Sequence, residues 1–243
     1  MTDKSATFEY YLTEHLNNTG NSTSRIKKKQ WLKYNYKNLL LSISKESRIL
    51  EVGPGGGELL ELLVNDMNFR NVTAIDISKE VVEFCNEIVP GTTTLVNEDC
   101  DYLNNKIEQF ECIMMLHVLE HLTKDRIHEF LTLLYSSLRK GGLIVIEVPN
   151  MANPLVGLNY RYADFTHEVG FTESSLRYVL SRAGFTDIQI FPSQLPTYSI
   201  SRKLQFILQS ILNAILSWLI RIYLPTDSPI TSTAIYAIAY KSN

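Results

Sequence analysis

The sequence predicts an α/β fold, a mostly parallel sheet of seven strands with helices on both faces, because strand and helix signals alternate along most of its 243 residues. Two local patterns agree. The run Arg48-Ile-Leu-Glu-Val-Gly-Pro-Gly-Gly-Gly57 is a short apolar strand that breaks into glycines and passes into a helical pattern of Leu59, Leu60, Leu62 and Leu63. A second strand, Val72 to Ile75, ends in an acid, Asp76, where an open sheet of this kind places a ribose-binding carboxylate.

In chain order, residues 1–44 carry Phe8, Tyr10 and Tyr11, then a polar stretch from Asn17 to Ser24. A basic helical stretch over 25–43 follows, with Lys27, Lys28, Lys29, Lys33 and Lys37. One reading gives that helix a solvated basic face and packs Trp31, Tyr34 and Leu39 on the domain. The other makes 1–44 an N-terminal helical lid over a ligand pocket.

The core, 45–200, has strand signals at Arg48–Val52, Val72–Ile75, Thr93–Val96, Cys112–Leu116, Leu143–Val148 and Asp187–Phe191. Helix signals stand between them at Glu58–Val64, Lys79–Ile88, Lys124–Leu138 and Glu173–Ala183, the last stopped by Gly184. Gly141-Gly142 turns the chain into the Leu143 strand and Pro149 ends it. Residues 201–225 form an amphipathic helical insertion, with Leu204, Ile207, Leu208, Ile211, Leu212, Ile215, Leu216, Leu219 and Ile220 at helical spacing. Gln205, Gln209, Asn213, Ser217 and Arg221 make a polar stripe along it, against a membrane span. The expectation is a helix packed on the core or across a homodimer interface, with peripheral membrane contact as the alternative. Residues 226–243 supply a closing strand near the sheet edge, Ala234–Ala239.

Gly53, Gly55 and Gly57 let the backbone turn tightly and let a ligand approach without a Cβ in the way, and the helix that follows offers its N–H groups to that ligand. The spacing is G-x-G-x-G, not the G-x-G-x-x-G of nicotinamide sites. With Asn97-Glu-Asp-Cys100, Phe110-Glu-Cys-Ile-Met-Met-Leu-His-Val-Leu-Glu-His-Leu122 and Leu138 to Asn150, these segments resemble the class I S-adenosylmethionine-dependent methyltransferases, a Rossmann-like fold, over roughly residues 45–190. The resemblance implies S-adenosylmethionine as cofactor and S-adenosylhomocysteine as product. It places the methionyl part over Gly53 to Gly57 near Glu51, and the ribose hydroxyls on Asp76, with Ile77 against the adenine. Asp99 and a Cys100 N–H would hold the adenine edge, and Leu116 and His117 would lie beside the sulfonium.

His117-Val-Leu-Glu120-His121 follows the strand at 112–116, and if helical it puts residues 117, 120 and 121 on one face at the sheet edge where ligands bind. His167, in the loop Tyr160 to Phe171, can overhang the same edge. Methyl transfer to a hydroxyl needs alignment and a base, a role that suits histidine. His121 and His167 are the candidate bases, with His117 beside them. Asp164 is placed to orient an imidazole, and Tyr160 and Tyr162 to line an acceptor pocket. The H-x-x-E-H spacing of one zinc protease class also matches, but that class sets it within a helical metal site. A divalent ion on His117, Glu120, His121 and His167 is a further reading, similar to the metal arrangement of small-RNA 2′-O-methyltransferases.

Asp164-Phe-Thr-His167 and the later Phe171-Thr-Glu-Ser-Ser-Leu176 resemble the methyltransferase branch associated with bacterial cell-surface saccharides. That resemblance implies O-methylation of a sugar, nucleotide sugar or surface-glycan intermediate. A quinone or small-phenol O-methyltransferase and a non-catalytic cofactor-binding partner protein are the rivals. A net charge of −3 gives no broad footprint for nucleic acid, and none is expected as a partner. Cys85, Cys100 and Cys112 lack metal spacing and read as reduced core thiols. With no apolar signal core near the start, the expected location is cytoplasmic.

Overall fold

The computed structural model describes Thr13 and residues 22–97, 101–223 and 229–242. Seven strands form one sheet: β1 (Arg48–Val52), β2 (Asn71–Asp76), β3 (Thr93–Leu95), β4 (Phe110–Leu116), β5 (Leu138–Pro149), β6 (Thr186–Pro192) and β7 (Ala234–Tyr240). Their order is β3-β2-β1-β4-β5-β7-β6, parallel except for β7, which pairs antiparallel with both its neighbours. The final strand thus stands one place inside the edge, which β6 occupies. β5 begins earlier than the glycine pair predicts, because Leu138 already pairs with Phe110. The register slips before Cys112 meets Leu143, and Gly141 at φ 72° absorbs the irregularity.

The helices are α1 (Ser22–Ser42), α2 (Glu58–Glu61), α3 (Lys79–Ile88), α4 (Asp101–Asn104), α5 (Lys124–Ser137), α6 (Gly157–Ala163), α7 (Glu173–Arg182) and α8 (Ile200–Tyr223). α2 widens into a π turn over Leu62–Asp66, so the predicted helix continues with altered pitch. Alternation along each strand sorts the core into two layers. Leu50, Val52, Ile113, Met115, Ile144 and Ile146 face α5 and α7. Ile49, Ala74, Cys112, Met114 and Val145 face α1, α2 and α3. Thr172 and Ser175 close a reciprocal capping box at the start of α7, as their spacing predicts.

α1 packs through Leu32, Tyr36 and Leu40, flanked by Trp31 and Leu39, while Tyr34 is exposed. The buried positions fall at i, i+4 and i+8, one residue round the helix from the face expected on Tyr34. Its basic side is not only solvated. Arg25 and Lys29 pair with Glu61 at 2.8 and 2.7 Å, and Lys28 with Glu58 at 3.3 Å, which ties α1 to the helix after the glycine turn.

α8 departs most from expectation. Leu216 is its one buried residue. The middle of its polar stripe faces the protein: Ser217 Oγ donates to the Pro229 carbonyl at 3.1 Å, and Thr231 Oγ1 donates to the Asn213 carbonyl at 3.4 Å. The apolar stripe, with Leu204, Ile207, Leu208, Ile211, Leu212, Ile215, Trp218 and Leu219, is exposed. The helix therefore does not pack its apolar face on the core. By length and composition it is apolar enough to cross a membrane.

Candidate active site

The sheet order reverses direction between β1 and β4, since the chain moves outward from β1 to β2 and β3, then crosses back to β4. Open α/β sheets bind ligands at this switch, beyond the carboxyl ends of the two strands. The loops after β1 and β4 meet there. Gly53, Gly55 and Gly57 all have positive φ, at 69°, 51° and 69°. A Cβ on Gly53 would stand 2.4 Å from Val118 Cγ2, so a side chain at 53 would drive the two loops apart.

Around this corner lie a buried carboxylate, Glu51, and a half-buried one, Asp76. Glu51 is 4% exposed and its Oε2 has no hydrogen-bond partner. Burial pushes its carboxyl up to about 8. The Lys28 charge pulls it down, while Glu58 and Asp76 push it higher. Asp76 ends β2, and its Oδ1 accepts the Ser78 N–H at 2.8 Å. Burial raises its carboxyl to about 6 against the lowering effect of backbone donors at Ser78 and Ile77. Ile77 is half-buried beside it, and Leu116 is half-buried at the end of β4. Asp99 and Cys100 lie outside the described residues, as do Phe8, Tyr10 and Tyr11.

His117 is not helical. It sits at φ 56°, donates its N–H to the Glu147 carbonyl at 2.9 Å, and a short 3-10 turn, Leu119–His121, follows. The shared helix face expected for 117, 120 and 121 is replaced by a left-handed kink that points the two histidines apart in role. The His117 ring lies between Glu120 (Nδ1 to Oε1, 3.3 Å) and Glu147 (Nε2 to Oε1, 3.4 Å). Desolvation lowers its pKa, but the two carboxylates outweigh it and push it up to about 10. An imidazolium held this way donates and does not serve as a base, although 46% of the side chain is open. Glu147 also accepts from the buried Tyr36 hydroxyl. Neither Glu147 nor Tyr36 stands out as a site residue by motif. The one sequence signal is a lone acid inside the apolar run Leu143 to Val148.

His121 has a different environment. Thr166 Oγ1 lies 2.8 Å from its Nδ1 and donates to Asp164 Oδ1 at 2.5 Å. A hydroxyl has one proton, so Thr166 accepts from Nδ1–H and the lone pair of neutral His121 sits on Nε2. Desolvation lowers the His121 pKa and the nearby His167 adds to it, while Glu120 and Asp164 act the other way. Asp164 thus orients an imidazole, but through Thr166. The His167 ring is 4.8 Å from the His121 ring, and its Nδ1 bonds the Tyr160 carbonyl at 2.7 Å. Arg161 donates to the carbonyls of His167 and Glu168, and the N–H groups of Glu168 and Val169 donate to the Glu120 carbonyl. These bonds bring residues 160–169 onto the loop after β4. Tyr160 and Tyr162 are exposed, at 40% and 73%. Glu120, His121 and His167 offer ligand atoms all within 4.8 Å of one another, so they can hold a metal ion, without His117.

A family model described as a methyltransferase domain matches residues 27–190. The chain belongs to the methyltransferase-domain family. It is therefore an enzyme of methyl transfer rather than a passive binding protein. Solved structures share the methyltransferase's fold. A SAM-dependent methyltransferase from Archaeoglobus fulgidus is 22% identical, with 96% of this chain and all of that chain covered, at a TM-score of 0.67. A putative methyltransferase of Haloferax volcanii, solved with the Trm112 activator, is 12% identical over the whole of both chains, at a TM-score of 0.66. A phosphoethanolamine N-methyltransferase from Haemonchus contortus, solved with S-adenosylmethionine, is 14% identical over 96% of this chain and 60% of that one, at a TM-score of 0.58. No curated protein matches the chain.

The residues of this methyltransferase fit S-adenosylmethionine. The glycine turn leaves open space at Gly55, where a Cβ would meet nothing within 4 Å, Asp76 is placed for a ribose diol, and the orphaned Glu51 Oε2 suits an ammonium group.

Proposed function

We propose that the methyltransferase O-methylates a saccharide acceptor (a sugar, nucleotide sugar or surface-glycan intermediate), with His121 as general base. The observation that carries this reading is the Asp164–Thr166–His121 chain on the loop after β4, which puts the lone pair of a neutral His121 on Nε2. S-adenosylmethionine supplies an electrophilic methyl group on a sulfonium. Gly53 to Gly57, Glu51 and Asp76 hold and orient it, and the oxygen nucleophile must stand in line with that methyl. His121 Nε2 would take the proton of an acceptor hydroxyl, and Thr166 and Asp164 would support the resulting imidazolium. His117, fixed between Glu120 and Glu147, keeps the floor of the site charged and ordered. The saccharide class rests on the resemblance of Asp164 to His167 and Phe171 to Leu176 to glycan-modifying relatives.

The test is S-adenosylhomocysteine release from a panel of nucleotide sugars and glycosides, for the natural chain and His121→Ala. Turnover of a saccharide that falls about 10²–10⁴-fold in the variant, with cofactor affinity kept, is the expected result. A variant at full speed overturns the base.

One observation favours a second reading: Glu120 Oε2 is buried with no hydrogen-bond partner, next to His121 and His167. A divalent ion there would polarise the acceptor oxygen. Loss of turnover on chelation, restored by one added metal, would select it.

A further inference from the structure

We propose that α8 is a docking helix that lies in the plane of an anionic lipid bilayer, apolar face down. The orientation of the helix carries the argument. The middle of its polar row, Gln209 to Ser217, is turned inward, with Asn213 and Ser217 bonded to the segment 229–231 that leads into β7, and its apolar row is turned outward. Leu204, Ile207, Leu208, Ile211, Ile215 and Trp218 are each between 49% and 69% exposed, in one unbroken line. Soluble proteins seldom leave so long an apolar strip in water.

Charge decides what covers it. From Ile188 to Thr226 the chain has no acidic residue, while Arg202, Lys203 and Arg221 stand on α8, in a chain whose net charge is −3. Lys203 and Arg221 are 18 residues apart, about five turns, and so share one border of the apolar strip. A second copy of the chain laid antiparallel along this helix would set Lys203 and Arg221 against like charges. Anionic headgroups offer the complement, with basic stems reaching up beside a buried apolar face. Trp218 and the 84%-exposed Tyr223 are the residue types that settle at such an interface. A crossing orientation is disfavoured, because it would carry Gln205, Gln209 and Asn213 into hydrocarbon and break the bonds to 229–231.

Topology places the surface. α8 leaves the carboxyl end of β6 and returns at the start of β7, which pairs with the carboxyl end of β5 through Pro149 and Ala234. Asn150 and Asn153 tie the returning segment to the end of β5 through the carbonyls of Ile230, Thr231 and Ser232. The docking helix therefore sits at the same sheet edge as the candidate active site.

The experiment is flotation of the full chain with two vesicle types, pure phosphatidylcholine and equal parts phosphatidylcholine and phosphatidylglycerol. It reads no turnover, so it stands or falls apart from the proposed reaction. The expected result is binding to the anionic vesicles that high salt weakens. Lys203→Gln weakens it about fivefold, and Leu208→Asp with Ile211→Asp abolishes it. Both substituted positions of the last variant are exposed, so its melting temperature stays that of the natural chain. Three outcomes overturn the proposal: flotation with neither vesicle; a lipid-free dimer in sedimentation that the Leu208→Asp, Ile211→Asp variant dissolves; or membrane association that only detergent, and not salt or alkaline carbonate, releases.

Discussion

As the proposed base, His121 needs its proton on the right nitrogen. Thr166 donates to Asp164 and so must accept from Nδ1, which leaves Nε2 as the basic atom. In Asp164→Asn an amide donor faces Thr166 instead. The hydroxyl then donates to Nδ1, the proton moves to Nε2, and kcat falls about 10²-fold with cofactor affinity intact. Because the His121 pKa lies below its ordinary value, the rate for the natural chain rises with pH only in the acid range, below about 6.5, and is level above it; a pH–rate profile checks this. Glu51 gives the opposite kind of prediction. Its folded pKa, about 8, is above the unfolded value, so between roughly 4.5 and 8 the folded state holds a proton that the unfolded state has lost. Stability of the ligand-free protein from this group is thus greatest in acid, declines across that window, and is level above it. Glu51→Gln keeps the shape without the charge. It is expected to raise the melting temperature at pH 8, by the equivalent of about 1–3 kcal/mol, and to weaken S-adenosylmethionine in calorimetric titration.

Among the elements, legibility followed periodicity. β1, β2 and α3 were readable within a residue or so: the two strands are short apolar runs buried along most of their length, and α3 buries Val81 and Cys85 four residues apart. The turn at His117 was not. Spacing of three and four suggests a helix, but the chain leaves β4 through positive φ at His117, and Val118 then packs on Gly53. The acid that holds His117, Glu147, comes from the neighbouring strand, a contact no local window contains. α1 shows the same limit. Its buried Tyr36 reaches Glu147 across 111 residues of chain, so the helix is part of the core from its middle onward. Tyr36→Phe leaves a buried carboxylate short of a donor and is expected to cost about 1–3 kcal/mol in denaturant unfolding.

At the scale of the whole molecule, the alternating pattern made the mostly parallel sheet and its two helical layers readable. The place of β7 depends on pairing between distant strands, and its antiparallel insertion between β5 and β6 is settled by the sheet rather than by its own sequence. Ala237, 1% exposed between Ile146 and Ile190, tests that position. Ala237→Asp buries a charge between two paired strands and is expected to lower unfolding stability by roughly 3–5 kcal/mol. The position of β7 also sets an order of assembly. β6 has no strand to pair with until residues 234–240 leave the ribosome, and α8 emerges before them. The sheet's far edge therefore closes late in synthesis, and during that interval the nascent chain already presents a long apolar helix, the kind of exposed surface that makes an unfinished chain prone to aggregate.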